Sequence, residues 1–195
     1  MSRNKEFDEI EVLDKAMWLF WEQGYEKTSM TDLVEQMGIH RRSLYDTFGD
    51  KHTLFLRVMD RYDSKVSGTL ARGVETSKTA TGALQFVVGT LICGAEDTPN
   101  GCLMVNSAVE LAVRDADVNK RSTDAFTKTE QLLKEIILWG QRDGEFTSDY
   151  DAGELAEYLH NVGVGLRSMA RTSISKKKLH RIANISMMLI VKGLD

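Results

Sequence analysis

Residues 25–51 constrain this chain more than any other stretch. Two short amphipathic segments flank Gly38. The first predicts a helix from about Thr31 to Met37, and the second a helix from about Arg41 to Phe48. Glycine reaches positive φ without a steric penalty, so Gly38 supplies the tight turn between them. Two helices joined by a short glycine-containing turn form a unit that can set the second helix in a DNA major groove. That arrangement points to a DNA-binding regulator.

The remaining chain continues the helical pattern. One proline in 195 residues leaves the 3.6-residue period almost uninterrupted. The first helix is expected from about Glu6 to Gln23, with Ile10, Leu13, Met17 and Phe20 on one apolar face and Trp18 and Trp21 in or over the core. Thr28 or Ser29 caps the next helix, and Asp32 completes a capping-box-like pattern with Ser29. Asp50 can cap a long helix running from about Lys51 to Gly73. A polar loop follows, then helices from about Gly82 to Ala95 and Cys102 to Val113. Residues 96–101 form a breaker between them. The Cys102–Val113 helix is apolar on nearly all sides and is expected at the centre. Later helices span about Val118 to Arg142, Ala152 to Arg171 and Lys176 to Leu194. In the last pair Leu155, Leu159, Val162, Leu166 and Met169 form a stripe, with Gly163 and Gly165 allowing close helix approach. Ile182, Ile185, Met188, Leu189 and Val191 form a second stripe. The expected fold is all-α: an N-terminal head over residues 1–50 and a helical body over residues 51–195.

Several function classes find no support. The N-terminus is polar and no apolar run reaches about 18 residues, so no secretory leader or membrane span is expected and the chain reads as cytoplasmic. The net charge is −4, which argues against sequence-independent coating of nucleic acid. It leaves room for a local set of basic contacts. His40, His52, His160 and His180 show no i, i+4 pairing, and Cys93 and Cys102 lack zinc spacing, so neither a metal site nor a cofactor is expected. Cys93 is expected in the core. Glu110 and Asp115 read as solvated or capping acids. No paired-carboxylate site, nucleophile–base motif or phosphate-cradling loop suggests an enzyme. A helix-turn-helix acting only as a protein adaptor is the other alternative. Loss of Arg41 and Arg42 would spare an adaptor and disable a repressor.

Leu19-Phe20, Gly24-Tyr25, Thr28-Ser29, Gly38-Ile39, Leu44-Tyr45-Asp-Thr-Phe48 and Lys51 together resemble the N-terminal signature of the TetR/AcrR family of one-component repressors. The match covers about the first quarter to third of the chain. One departure is the Arg41-Arg42 pair, where many members carry a small residue or glycine beside a single polar one. The base sequence read by the helix is therefore not carried over. The resemblance implies a homodimer on a double-stranded operator, with each subunit giving its two C-terminal helices to a four-helix bundle. It also implies a small-molecule effector that releases the DNA.

The candidate DNA contacts are Thr28, Ser29, His40, Arg41, Arg42, Ser43, Tyr45 and Lys51. Arg41 and Arg42 open the recognition helix, whose N-terminal residues face base edges, and arginine binds guanine O6 and N7 bidentately. By the family pattern Tyr45 and Lys51 meet phosphates, Thr28 is similarly placed, and Leu44 and Phe48 are core. His40, Ser29 and Ser43 fit either capping or DNA contact. Candidate effector contacts are Phe86, Cys102, Val105, Asn106, Leu133, Trp139 and Asn161, with Met104 beside them; ordinary core is the alternative for each apolar one. The stretch from Pro99 through Gly101-Cys102-Leu103 to Asn106 resembles a Gly-Cys-Leu-x-x-Asn helix start in one branch of the family, where some members sense electrophiles or oxidants. A cysteine at a helix N-terminus can become a reactive thiolate.

Overall fold

The computed structural model describes residues 7–93 and 98–193, without the side chains of residues 92 and 93. Among the described residues lie nine helices: α1 (Glu9–Gln23), α2 (Met30–Met37), α3 (Arg41–Phe48), α4 (Lys51–Glu75), α5 (Ala80–Cys93), α6 (Leu103–Leu111), α7 (Ala116–Arg142), α8 (Ala152–Ala170) and α9 (Lys176–Met188). The only extended pairing described is an isolated antiparallel bridge between Phe146 and Val191. It ties the end of the chain to the α7–α8 turn.

The head helices begin and end on local signals. Asp8 caps α1 by accepting from the Ile10 and Glu11 amides. Ser29 and Asp32 form a reciprocal capping box at α2. Gly38 ends α2 at φ 68°, ψ 30°, a left-handed conformation that favours glycine over other residues. Asp50 caps α4 by accepting from the Thr53 amide. Each cap is written within three residues of the amide it satisfies.

The buried side chains form two clusters. One joins α1, α2, α3 and the first half of α4, with Phe20, Leu33, Leu44, Phe48 and Phe55 at its centre. It also takes Leu103, Met104 and Leu111 from α6 and Val118 from α7, so the head packs directly on the body. The second cluster joins the end of α4 to α5, α7, α8 and α9 around Leu84, Leu133, Ile137 and Phe146. Each fully buried large apolar side chain contributes roughly 1.5–3 kcal/mol relative to exposure. The helices that touch both clusters therefore carry much of the head–body attachment.

Some expectations need correction. Ile10 is exposed and Val12 takes its place on the buried face, because the stripe of α1 runs through Val12, Leu13, Ala16, Met17, Leu19, Phe20 and Trp21. Trp18 is also exposed, whereas Trp21 is buried. The expected 102–113 helix is not enclosed on all sides: Val109 on α6 and Val113 just past its end project outward. α9 stops at Met188, and the chain turns into the bridge at Val191. The expected breaker at 96–101 falls partly, and the Cys93 side chain wholly, outside the described residues.

Candidate nucleic-acid interface and interior cavity

α3 presents a short polar helix whose inner face is locked. Leu44 and Phe48 are buried in the head core. From α4, the Arg57 guanidinium lies 4.6 Å over the Phe48 ring, donates to the Thr47 carbonyl and pairs with Glu9. Arg57 thus fastens the C-terminal end of α3 to α1. Sequence reasoning missed this residue, because its partners come from two other helices.

The opposite face of α3 is open. His40 occupies the N-cap position but makes no side-chain cap bond. The first amides of the helix and its positive dipole end are therefore left without a side-chain cap from His40. Arg41 and Arg42 follow directly, both exposed. The Arg42 side chain is 91% exposed and reaches Asp46 at 3.6 Å, a separation that makes only a weak pair in solvent. Arg41 lies 5.9 Å from the Tyr45 ring. Tyr45 is 43% exposed. Ser43 and His40 border a shallow surface cleft with Gly38 and Ile39.

The other expected DNA contacts divide. Ser29 is exposed at the start of α2, its Oγ accepting from the Asp32 amide. Lys51 sits 4.3 Å over the Tyr25 ring and its Nζ lies 3.5 Å from the Glu26 carbonyl. Thr28 departs from the expectation. Its side chain is fully buried, and its hydroxyl donates to the Gly24 carbonyl at 2.6 Å. That bond closes the turn after α1 and leaves the hydroxyl turned inward.

The turn after α1 is also gripped from the body. Glu110 on α6 accepts from the Tyr25 amide at 3.0 Å and the Glu26 amide at 2.8 Å. From the end of α8, Arg171 donates to the Trp21 carbonyl at 2.8 Å and the Glu22 carbonyl at 3.0 Å. Asp115 caps α7 and meets His52 of α4 at 2.7 Å. Glu110 and Asp115 are thus capping acids, and Glu110 caps across more than eighty residues of sequence.

Beneath this joint lies a cavity of about 60 Å³ that opens to solvent. α4, α5, α6, α7 and α8 all contribute to its wall, which is mainly apolar. Cys102 and Val105 line it, as does Met104. Cys102 is the N-cap of α6, and the Tyr62 hydroxyl donates to its Sγ at 3.3 Å. Burial, reinforced by neighbouring Cys102, pushes the Tyr62 hydroxyl well above the usual tyrosine range. Tyr62 therefore stays a donor. His160 also faces the cavity and pairs with Glu130 at 2.8 Å.

The remaining expected effector contacts lie elsewhere. Asn106 lines a separate cleft at the joint, beside Trp21, Glu110 and Arg171. Phe86 is 38% exposed, and its ring covers Gly73 so closely that a Cβ there would stand 1.8 Å from it. It packs α5 on α4. Leu133 is fully buried in the second core. Trp139 packs at the edge of that core and donates from Nε1 to Asp143 at 2.7 Å. Asn161 points outward on α8. Five residues expected at an effector thus lie away from this cavity. Tyr62, Phe126 and Arg167, which do line the cavity, were not singled out for it.

Comparison with known proteins fits this layout. Residues 12–58 match the family model described as bacterial regulatory proteins, tetR family. Residues 83–185 match the tetracyclin repressor-like C-terminal domain. The chain belongs to the TetR family of transcriptional regulators, and so is a regulator and not an enzyme. It is 33% identical over 96% of its length, and 90% of the relative's, to the HTH-type transcriptional repressor ComR of Escherichia coli. It is 30% identical over 97% of its length, and all of the relative's, to the uncharacterized HTH-type transcriptional regulator YezE of Bacillus subtilis. Among solved structures, a cysteine mutant of the regulator CifR complexed with 26-base-pair operator DNA is similar at a TM-score of 0.84. That pair shares 26% identity, covering 95% of this chain and 98% of that one.

Proposed function

We propose that this chain is a homodimeric, effector-released repressor that reads a two-fold operator through the N-terminal end of α3. The observation that carries this reading is the open, side-chain-uncapped start of α3 with Arg41 and Arg42 exposed beside Tyr45. None of the described head residues covers that face, while its inner side is fixed by Leu44, Phe48 and Arg57. A rigid helix with free arginines at its leading end suits base-edge contact, and Tyr45, Ser29 and Lys51 suit phosphates. CifR, of similar fold, is bound to operator DNA in its complex.

The outward faces of α8 and α9 support the dimer. Tyr158, Ile185, Met188 and Leu189 are exposed there. A Cβ added to Gly165 would meet no atom within 4 Å, so that backbone is open to a partner helix. Gly163 instead faces inward, 3.2 Å from a Leu91 methyl by the same measure. Pairing these faces would set the spacing of the two α3 helices, which must match half-sites about 34 Å apart or a multiple of it.

Release follows from differential binding: an effector that favours the spacing unfit for DNA lowers operator affinity by that preference. The cavity under the joint is the site this reading assigns to the effector. Cys102, at a helix N-terminus within the cavity wall, is placed to meet an electrophilic one.

The test is selection of bound duplexes from a random pool by the purified chain and by an Arg41→Ala/Arg42→Ala variant. The expected result is a near-palindromic site enriched by the wild type and lost in the variant. No enrichment at low salt would move the assignment to a protein adaptor. With that duplex in hand, Cys102→Ser should abolish release by thiol-reactive compounds. Unchanged release would remove the electrophile from the account.

A further inference from the structure

Among the described residues, the buried cation in the cavity wall has no anion to match it. Arg167 on α8 is 5% exposed and lines the cavity. Its guanidinium donates to two backbone carbonyls, Gly101 at 2.6 Å and Thr90 at 3.2 Å. Its Nε–H is buried without a hydrogen-bond partner, and among the described residues no carboxylate lies within ion-pair distance of it. A buried charge held only by neutral carbonyls is costly unless a counter-charge arrives. Two carboxylates at or behind the cavity wall are already engaged. Asp63, on the cavity wall, pairs with Lys128, and Glu130 pairs with His160.

We propose that the cavity binds a small organic acid whose carboxylate pairs with Arg167 and whose apolar tail packs against Val66, Leu91, Met104 and Phe126. Arginine suits a carboxylate, because its planar fork can offer two parallel N–H donors. Here Nε and an adjacent terminal nitrogen supply that edge while the remaining nitrogen keeps its carbonyl. The interior space open to a ligand is about 60 Å³, so the acid that fits is short. The mainly apolar wall suits a short hydrocarbon or aryl tail.

The same residue connects the ligand to the head. Arg167 holds the Gly101 carbonyl, next to Cys102 and the start of α6. One turn along α8, Arg171 holds the carbonyls at the end of α1. A carboxylate drawn to Arg167 competes with its carbonyl bonds at the point where α8 meets the α6 start and the α1 end. This inference rests on the cavity being the effector site of the repressor proposed above.

The test is calorimetric binding of butanoate, hexanoate, octanoate and benzoate to the purified full chain, each against its neutral amide. At least one acid should bind, and its amide should bind at least tenfold more weakly. Arg167→Lys should keep a preference for the acid, and Arg167→Met should erase it. Because Arg167 also holds backbone, each variant is checked by circular dichroism, and the acid–amide comparison on the unaltered chain stands without any variant. Equal binding of acid and amide, or no binding by any of the four acids, overturns the proposal. Adding the bound acid to the chain on its selected duplex separates the two readings. Binding without DNA release keeps the anion site and refutes its effector role. Release by thiol reagents with no acid bound keeps the repressor and refutes the anion site.

Discussion

The head and the joint beneath it are held in different ways. In the head, Asp8, Ser29 with Asp32, and Asp50 each cap a helix from within three residues. At the joint, Glu110, Arg171 and Arg167 reach backbone groups more than sixty residues away in sequence. Local caps form with their helix and change only if it unravels. Remote caps can be exchanged while every helix stays intact. The head is therefore built to keep the shape of α3, and the proposed function assigns any change in its position to the joint.

This contrast can be broken by experiment. Arg171→Ala should show the largest effect, because it strips two carbonyls at the end of α1 of their charged donor. Hydrogen bonds to charged groups are worth about 1.5–3 kcal/mol, and the solvent exposure of this residue brings the expected loss to about 1–2 kcal/mol. Urea denaturation measures it. The contrast also requires altered operator affinity in this variant, since the joint sets the head's position. A destabilised chain with unchanged operator affinity would make the joint purely structural.

Ser29→Ala removes a local cap and should cost about 1 kcal/mol. Here the urea midpoint should shift with little change in the effector concentration that gives half-release. A large change in effector response would place the α2 cap in the switch.

The smallest effect concerns Asp14, which ties α1 to α4 through Arg61 and Lys65. The Arg61 guanidinium lowers its pKa from the ordinary 3.8, against the opposing effect of burial, and Lys65 adds to the lowering. A carboxylate with a depressed folded-state pKa stabilises the fold above its unfolded pKa, and that contribution is lost as pH falls through the folded value. Asp14→Asn should therefore be slightly less stable than the wild type at pH 7. The gap should close as pH drops below 3.8. A gap that does not narrow at all as the pH falls below 3.8 would assign the loss to packing and not to charge.

The head was legible in the sequence because its determinants are local. The bounds of α3 follow from the turn glycines at Gly38 and Gly49 and the cap at Asp50, all close to the helix they delimit. The capping box at Ser29 and Asp32 was legible for the same reason. The inward turn of Thr28 is not legible in the sequence, because its hydroxyl partner is set by how the chain turns at Gly24, which spacing alone does not report. The cavity was largely illegible, since five helices build its wall and no single stripe encodes their meeting point. Leu133 and Phe86 carry the same apolar pattern as true lining residues yet face the second core and the α4–α5 contact. One signal was available: His160 and Arg167 are seven residues apart on the buried phase of α8, where ionisable residues are costly without a purpose. Arg167 would have been found by asking why an apolar stripe carries a guanidinium.

The central claim is that two copies of α3 read two half-sites together. The most direct measurement is fluorescence anisotropy of the purified chain on its selected duplex and on the same duplex with one half-site scrambled, at fixed salt. The account predicts at least a hundredfold loss of affinity from scrambling one half, since each mismatched base pair costs roughly 1–3 kcal/mol. Equal affinity for the intact and half-scrambled duplexes would contradict it.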